Sequence, residues 1–125
     1  MASEEMQRIF VAGHRGMVGA ALTRHLEAQA GDHVVVTASR EEVDLRQQQA
    51  VEAFLREAAI DTVYLAAARV GGIHANNAYP ADFIDDNLAI ATSVIHAAHQ
   101  AGVQRLLFLG SSCIYPREAE QPMRE

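Results

Sequence analysis

The sequence predicts an α/β fold in which a doubly wound parallel sheet is covered by helices on both faces. Strand-like and helix-like segments alternate along the 125 residues, the order that parallel strands with helical crossovers require. Residues 33–37 form a nearly continuous β-branched run, which is typical of a strand buried on both faces. A glycine-rich turn at residues 13–19 joins the first strand to the first helix.

Each element is predicted from its hydrophobic spacing and its flanking turn residues. The strands are expected at residues 8–12, 33–37, 43–45, 62–66 and 105–110, with 43–45 as a brief edge strand. The helices are expected at residues 17–30, 47–59 and 81–100, with a loop between residues 66 and 80. Right-handed crossovers then give the strand order 3-2-1-4-5 of a Rossmann-type sheet.

Apolar residues recur at helical spacing in all three predicted helices. They are Val18, Leu22 and Leu26 in the first helix, Val51, Phe54 and Leu55 in the second, and Ile84, Leu88, Ala91, Ile95 and Ala98 in the third.

Composition narrows the class of protein. Half of the residues are apolar and the formal net charge is −6, as expected for one globular domain. Scattered arginines on an acidic chain argue against a nucleic-acid surface, which needs a clustered basic face. The single cysteine, Cys113, excludes an internal disulfide, and the dispersed histidines predict no metal site. Without an apolar run of about 20 residues or a basic leader, we expect a cytosolic protein with no membrane span.

Three segments of unusual composition each follow a predicted strand, at residues 13–19, 66–72 and 111–113. Because the carboxyl ends of parallel strands share one edge, we expect these segments to meet where the winding of the sheet reverses. The glycine turn there offers unpaired backbone N–H groups to a phosphate. Gly19 lies inside the following helix pattern, where a glycine is explained by a close approach of another group. The sequence therefore predicts a dinucleotide site.

The choice of dinucleotide depends on the end of the second strand. An NAD site usually places an acidic residue there to bind the ribose hydroxyl. No acidic residue occupies that position, and Arg15 and Arg40 are suited to a 2′-phosphate, so we expect NADP(H). The alternative is that both arginines are solvated surface charges. Glu41 and Glu42 follow Arg40 directly, so NAD stays open as the cofactor. Asp44 is expected either to accept a hydrogen bond from adenine or to cap the helix that follows.

Hydroxyl and thiol side chains follow the last predicted strand. Ser111 and Ser112 are interpreted either as groups that bind a substrate oxygen or as ordinary turn residues. Cys113 is interpreted either as a reactive thiol or as a small buried apolar side chain.

Four motifs carry a family resemblance: GHRGMVG at 13–19, LAAARVGG at 65–72, ANNAYPADF at 75–83 and LFLGSSCIYP at 107–116. Together they resemble the GDP-L-fucose synthases, which are extended short-chain dehydrogenase/reductases. The cofactor-binding residues carried over by motif are Gly13, His14, Arg15, Gly16, Met17, Val18, Gly19, Arg40, Asp44, Leu45, Ala66, Ala67, Leu109, Gly110, Ser111 and Ser112.

The resemblance implies an NADP(H)-dependent enzyme that converts GDP-4-keto-6-deoxy-D-mannose to GDP-L-fucose. It implies that Ser111 binds the C4 oxygen of this GDP-sugar and that Cys113 acts as acid or base in epimerisation. It also implies a homodimer formed through helix 81–100.

One family feature is missing. The Tyr-x-x-x-Lys pair of the family does not occur, since the fourth residue after Tyr115 is Ala119. We therefore expect residues 1–125 to be the N-terminal part of an NADP-binding domain, truncated before the remaining strands and the substrate domain, and inactive and marginally stable alone. The alternatives are a small non-catalytic NADP-binding sensor and part of another sugar-nucleotide epimerase.

Overall fold

A four-stranded parallel sheet forms the centre of the computed structural model, which describes residues 6–124. Strand β1 (Gln7–Ala12) pairs with β2 (His33–Val36) on one side and with β3 (Thr62–Leu65) on the other. Strand β4 (Arg105–Phe108) pairs with β3. The resulting order β2-β1-β3-β4 confirms the predicted order of these four strands.

Four α-helices and one short 3₁₀ helix connect or follow the strands in the described residues. They are α1 (Met17–Ala28), α2 (Gln48–Glu57), α3 (Gly72–Ala78), α4 (Pro80–Gln100) and the 3₁₀ helix Ser112–Ile114. Gly102, which follows α4, has a positive φ of 78°, so the chain leaves the helix through the left-handed region that glycine favours.

The sheet buries side chains on both faces, as a doubly wound fold requires. On one face, Phe10, Val63 and Leu65 pack with Val51 and Leu55 of α2 and Val94 of α4. On the other face, Ile9 and Val11 pack with Leu26 of α1. Alternate residues of β2 reach the two cores, although each is only half-buried because β2 lies at the sheet edge.

The edge strand predicted at residues 43–45 is wrong, because this segment forms turns. The Val43 N–H donates to the Ser39 carbonyl at 3.0 Å, and the Gln47 N–H donates to the Asp44 carbonyl at 2.9 Å. These local bonds use backbone groups that a strand would pair with a neighbour. Val43 is nevertheless buried in the core, which explains the apolar residue that favoured a strand.

The uninterrupted loop predicted between residues 66 and 80 is also wrong, because α3 occupies residues 72–78. None of the side chains of α3 is buried, so the sequence carries no apolar repeat to reveal the helix. Gly71 precedes it, and a Cβ there would lie 2.7 Å from the Phe83 ring. The glycine therefore lets this loop pack closely against α4.

The apolar repeat of α4 is divided between two faces. Val94, Ala97 and Ala98 are buried against the sheet. Ile84 and Leu88 are 60% and 59% exposed, and Ile95 is also exposed. Most of the predicted stripe therefore faces away from the core.

Candidate functional site

A cleft of about 700 Å³ opens at the carboxyl ends of the strands. Its walls are the loops that follow β1, β2 and β3, together with Asp86 and Ile90 of α4. Strand β1 lies between β2 and β3. The chain passes from β1 to β2 on one side of β1 and then crosses back to β3 on the other side. The cleft thus lies at the switch point of the sheet, where ligands of open α/β folds bind.

The floor of the cleft is a tight glycine turn. Gly13 has a φ of +89°, and a Cβ on it would lie 2.7 Å from the backbone nitrogen of Ala67. The Gly16 N–H donates to the Gly13 carbonyl at 3.1 Å and closes the turn immediately before α1. Glycine at position 13 therefore lets the turn pack against the backbone of the loop after β3.

Two arginines lie at one corner of the cleft, where Arg15 and Arg40 both belong to its lining. The pKa of the neighbouring Glu41 is lowered by its own backbone amide and by a hydrogen bond from Ser39, and further by the charges of Arg15 and Arg40. Both guanidinium groups are thus close enough to stabilise a negative charge at this corner. No acidic residue lies between Val36 and Arg40, as the sequence indicated.

Asp44 does not cap α2, so that interpretation is wrong. The cap position belongs to Gln47, whose side chain makes no capping bond. The Asp44 carboxylate instead accepts from the Arg46 backbone N–H at 3.0 Å and from the Arg46 guanidinium at 2.8 and 3.1 Å. These bonds lower the pKa of Asp44 to about 2. A contact between Asp44 and adenine stays a prediction.

A network of charged side chains, missed by the sequence analysis, continues from Asp44 along the wall of the cleft. Arg46 donates from Nη1 to Asp86 Oδ1 at 3.0 Å, and Arg69 donates from Nη1 to Asp86 Oδ2 at 2.7 Å. Hydrogen bonds from Arg69 and then Arg46 lower the pKa of Asp86. Hydrogen bonds to Asp44 and Asp86 raise the pKa of Arg46 above its ordinary value. Network partners lie 17 and 40 residues apart, which no local motif reveals.

The predicted cofactor residues fall into three groups. Those that line the cleft are Gly13, His14, Arg15, Gly16, Arg40, Asp44, Leu45, Ala66 and Ala67. Met17, Val18 and Gly19 form the first turn of α1, where Met17 is 89% exposed and Gly19 is buried. Leu109, Gly110, Ser111 and Ser112 follow β4, farther along the same edge of the sheet.

The two predicted catalytic residues lie beyond the end of β4. The Leu109 N–H donates to the Leu65 carbonyl at 3.2 Å and keeps the chain beside β3. Ser111 Oγ then accepts from the Cys113 N–H at 3.2 Å and caps the 3₁₀ helix. Cys113 is exposed, so the interpretation of this thiol as a buried apolar side chain is wrong.

Two observations limit other kinds of site. Within residues 6–124, no cluster of three or more histidine, cysteine, aspartate or glutamate side chains is arranged to hold a metal ion. In the same range, no helix combines the length and the apolar character needed to cross a membrane.

Residues 9–125 match the sequence pattern of the NAD dependent epimerase/dehydratase family. The chain belongs to this family. The match includes the glycine turn, the cleft and the segment that carries Ser111 and Cys113. The family pattern and the switch-point cleft therefore agree.

The chain is also similar to several GDP-L-fucose synthases. That of Escherichia coli K12 is 60% identical over 119 residues, which cover 95% of this chain and 37% of the relative. GDP-L-fucose synthase 1 of Arabidopsis thaliana is 54% identical over 123 residues, which cover 98% of this chain and 38% of the relative. The chain thus spans a little over a third of the length of these relatives.

A solved structure shares the fold closely. MlghC, the GDP-mannoheptose C4 reductase of Campylobacter jejuni with NADP bound, superposes with a TM-score of 0.87 and 38% sequence identity. The superposition covers 98% of this chain and 36% of MlghC. Nearly all of this chain therefore has a structural counterpart in MlghC.

Proposed function

We propose that this chain binds NADP(H) in the switch-point cleft and forms the cofactor-binding part of a GDP-L-fucose synthase. The proposed cofactor rests on one observation: the Gly13 turn, Arg15 and Arg40 all line the same cleft. A side chain at Gly13 would overlap the backbone at Ala67, so glycine is required where the turn packs against the loop after β3. The turn leads directly into the N-terminus of α1, which is suited to a diphosphate. The presence of NADP in the MlghC structure supports the same choice.

Different residues of the cleft are suited to different parts of the cofactor. Backbone N–H groups at the start of α1 are suited to the diphosphate, and Arg15 and Arg40 to the 2′-phosphate. The Asp44 carboxylate, fixed by Arg46, is suited to accept from the adenine amino group. When bound, the reduced nicotinamide supplies the hydride that reduces the C4 ketone of the sugar.

The reaction we propose is the conversion of GDP-4-keto-6-deoxy-D-mannose to GDP-L-fucose. A ketone acidifies the C–H bonds on either side of it, so a base that removes a proton from one face and an acid that returns a proton to the opposite face can invert C3 and C5 before reduction. Cys113 is exposed and free to exchange a proton at these carbons. The Ser111 hydroxyl, which accepts from the Cys113 N–H, still has its own proton to donate to the C4 oxygen. The 60% identity to the Escherichia coli enzyme supports this substrate.

A comparison of NADPH and NADH binding tests the proposed cofactor. We expect the parent chain to bind NADPH more tightly than NADH. We expect Arg40→Ala to weaken the binding of NADPH by about tenfold and to have little effect on the binding of NADH. Arg24→Ala is the matched control, because Arg24 is an exposed arginine on α1 outside the cleft lining. An NADH preference, or an equal loss for both nucleotides, would contradict the 2′-phosphate site.

A second candidate is a GDP-sugar C4 reductase without epimerase activity, which the similarity to MlghC favours.

A chimera tests both candidates. In the chimera, this chain replaces the matched residues of the Escherichia coli synthase, and the reaction is run in D₂O. An epimerase/reductase incorporates deuterium at C3 and C5 of the product, and Cys113→Ser abolishes that incorporation. A C4 reductase oxidises NADPH without this label. A chimera that binds NADPH but transforms no sugar favours the non-catalytic sensor.

We also propose that the protein acts as a cytosolic homodimer through α4. Ile84, Leu88, Ala91 and Ile95 follow the alternating spacing of four and three residues that joins two helices along a seam. Ile84, Leu88 and Ile95 are exposed in the single chain, so pairing with a second copy removes apolar surface from water.

A further inference from the structure

Asp86 connects two walls of the cleft. Arg46 belongs to the loop after β2 and Arg69 to the loop after β3, and each donates to a different oxygen of the Asp86 carboxylate, at 3.0 and 2.7 Å. The Asp86 side chain is only 17% exposed, whereas the Arg69 side chain is 44% exposed. Asp86 is therefore the sheltered centre of this network.

The same helix also fixes the backbone of both loops. Buried Ser93 donates from Oγ to the Arg46 carbonyl at 3.0 Å. Asn87 accepts from the Arg69 N–H at 2.7 Å and donates to the Arg69 carbonyl at 3.0 Å. Each arginine is thus attached to α4 by its main chain and by its guanidinium group, so α4 sets the position of the two loops together.

The network contributes little net charge to the cleft. Arg46 also binds Asp44, so the two arginines are balanced by two carboxylates. A neutral group gives little overall attraction for an anionic nucleotide, which leaves the geometry of the loops as its main contribution. Removal of the Asp86 charge would leave the two guanidinium groups facing each other and favour separation of the loops.

We propose that Asp86 is a positioning residue that holds the loops after β2 and β3 at the separation that the adenosine half of the cofactor requires. This inference rests on the proposed binding of NADP(H). Loops that are already ordered lose less conformational freedom when a ligand binds, so the preformed cleft raises affinity without a contact between Asp86 and the nucleotide.

The Asp86→Asn variant tests the inference, because the loss of a positioning contact and the loss of a negative charge predict opposite changes in NADPH affinity. If the negative charge were the only property lost, the binding of anionic NADPH would become tighter. Loss of the positioning contact weakens it, and we expect dissociation constants for NADPH and NADH to rise by about tenfold together. The adjacent Asp85→Asn variant carries the same change of charge at an exposed position and is expected to bind as the parent chain does. Titrations well below the thermal midpoint of each variant separate affinity from stability.

Hydrogen exchange without nucleotide gives an independent readout. Asp86→Asn is expected to accelerate amide exchange at residues 37–47 and 66–71 together, and Asp85→Asn at neither. Unchanged exchange in either loop, or NADPH binding as tight as in the parent chain, would overturn the role of Asp86. If the parent chain binds no NADPH but the exchange result holds, the proposed cofactor fails and the positioning role of Asp86 stands.

Discussion

Gly19 lies directly against the carbonyl group of Gly13. A Cβ atom at Gly19 would come within 2.7 Å of the Gly13 carbonyl carbon and would overlap its oxygen. The first turn of α1 therefore packs onto the glycine turn that forms the floor of the cleft. The glycine that lowers the helix propensity of α1 is required by this backbone contact.

We expect Gly19→Ala to destabilise the chain by about 1–3 kcal/mol, as overpacking does in a closely packed interior. The atoms in the way belong to the backbone, so no side-chain rotation relieves the overlap. Helix propensity alone predicts the opposite, a gain of about 1 kcal/mol. Urea unfolding of the variant measures the sign, and a more stable variant would contradict the close packing of Gly19.

Gly16→Ala is the matched control for this position. A Cβ on Gly16 would lie 3.4 Å from the Gly13 carbonyl oxygen, and its φ of −73° suits any residue. We expect a loss of only about 0.5 kcal/mol at this helix cap. Because Gly16 lines the cleft, its new methyl group should impair NADPH binding more than stability.

Acid should unfold the chain through the network around Arg46. The folded pKa of Asp44 is about 2 and that of Asp86 is lowered, whereas an unfolded aspartate titrates near 3.9. A lowered folded pKa stabilises the native state above the unfolded pKa, and this stabilisation is lost as pH falls from about 4 towards 2. We expect a flat urea midpoint between about pH 5 and 7 and a fall below about 4.

Asp44→Asn identifies the source of that acid dependence. We expect the variant to unfold more readily near neutral pH and to show a shallower fall below about pH 4, because its amide does not titrate. Exposed Asp85→Asn should retain the slope of the parent chain. An unchanged slope for Asp44→Asn would show that other carboxyl groups govern acid unfolding.

The sequence predicted every described strand and three of the four described α-helices, including β4, whose four residues are all exposed. Strands β1, β2, β3 and β4 and helices α1, α2 and α4 all correspond to predicted segments. Helix α3 was missed because it buries no side chain, and residues 43–45 were misassigned because Val43 is buried from within a turn. Hydrophobic spacing records apolar side chains, so it detects the exposed strand β4, misses α3 and mistakes the buried turn at Val43 for a strand.

The candidate site was predictable only where a local motif shapes it. Spacing and strand placement were sufficient for Gly13, Gly16 and Arg40, which all line the cleft. The pairing of Arg46 and Arg69 with Asp86 depends on how two loops approach α4, and a charged residue alone carries no sign of its partner. Ordinary surface positions and network positions have the same residue types, so only the tertiary structure distinguishes them.

The exposed face of α4 should control self-association. We expect Leu88→Glu, at a residue that is 59% exposed, to shift the chain to a monomer without lowering its thermal midpoint. Ile73→Glu is the control, because Ile73 is an exposed apolar residue on α3 outside the α4 stripe. Sedimentation velocity over a concentration series measures both. Equal association of the parent chain and Leu88→Glu would exclude this seam.

We expect the 125-residue chain to bind NADPH and yet to leave GDP-4-keto-6-deoxy-D-mannose unreduced. Its ten basic residues, apart from the histidines, are all arginines, so no lysine is present to form a Tyr-x-x-x-Lys pair. The residues four positions after Tyr64, Tyr79 and Tyr115 are Ala68, Phe83 and Ala119. Without such a pair, no lysine positions the nicotinamide ribose and no tyrosine paired with a lysine delivers a proton to the C4 oxygen.

NADPH absorbance measures this outcome, with the Escherichia coli synthase as the positive control. If this chain consumes NADPH with the sugar and Cys113→Ser stops it, the residues after β4 suffice for turnover and the need for the pair is wrong. If NADPH binds and its consumption matches the protein-free rate, binding and reduction are separable in this fold. The residues that line the cleft all lie at or before Ile90 in the chain, whereas Ser111 and Cys113 follow β4.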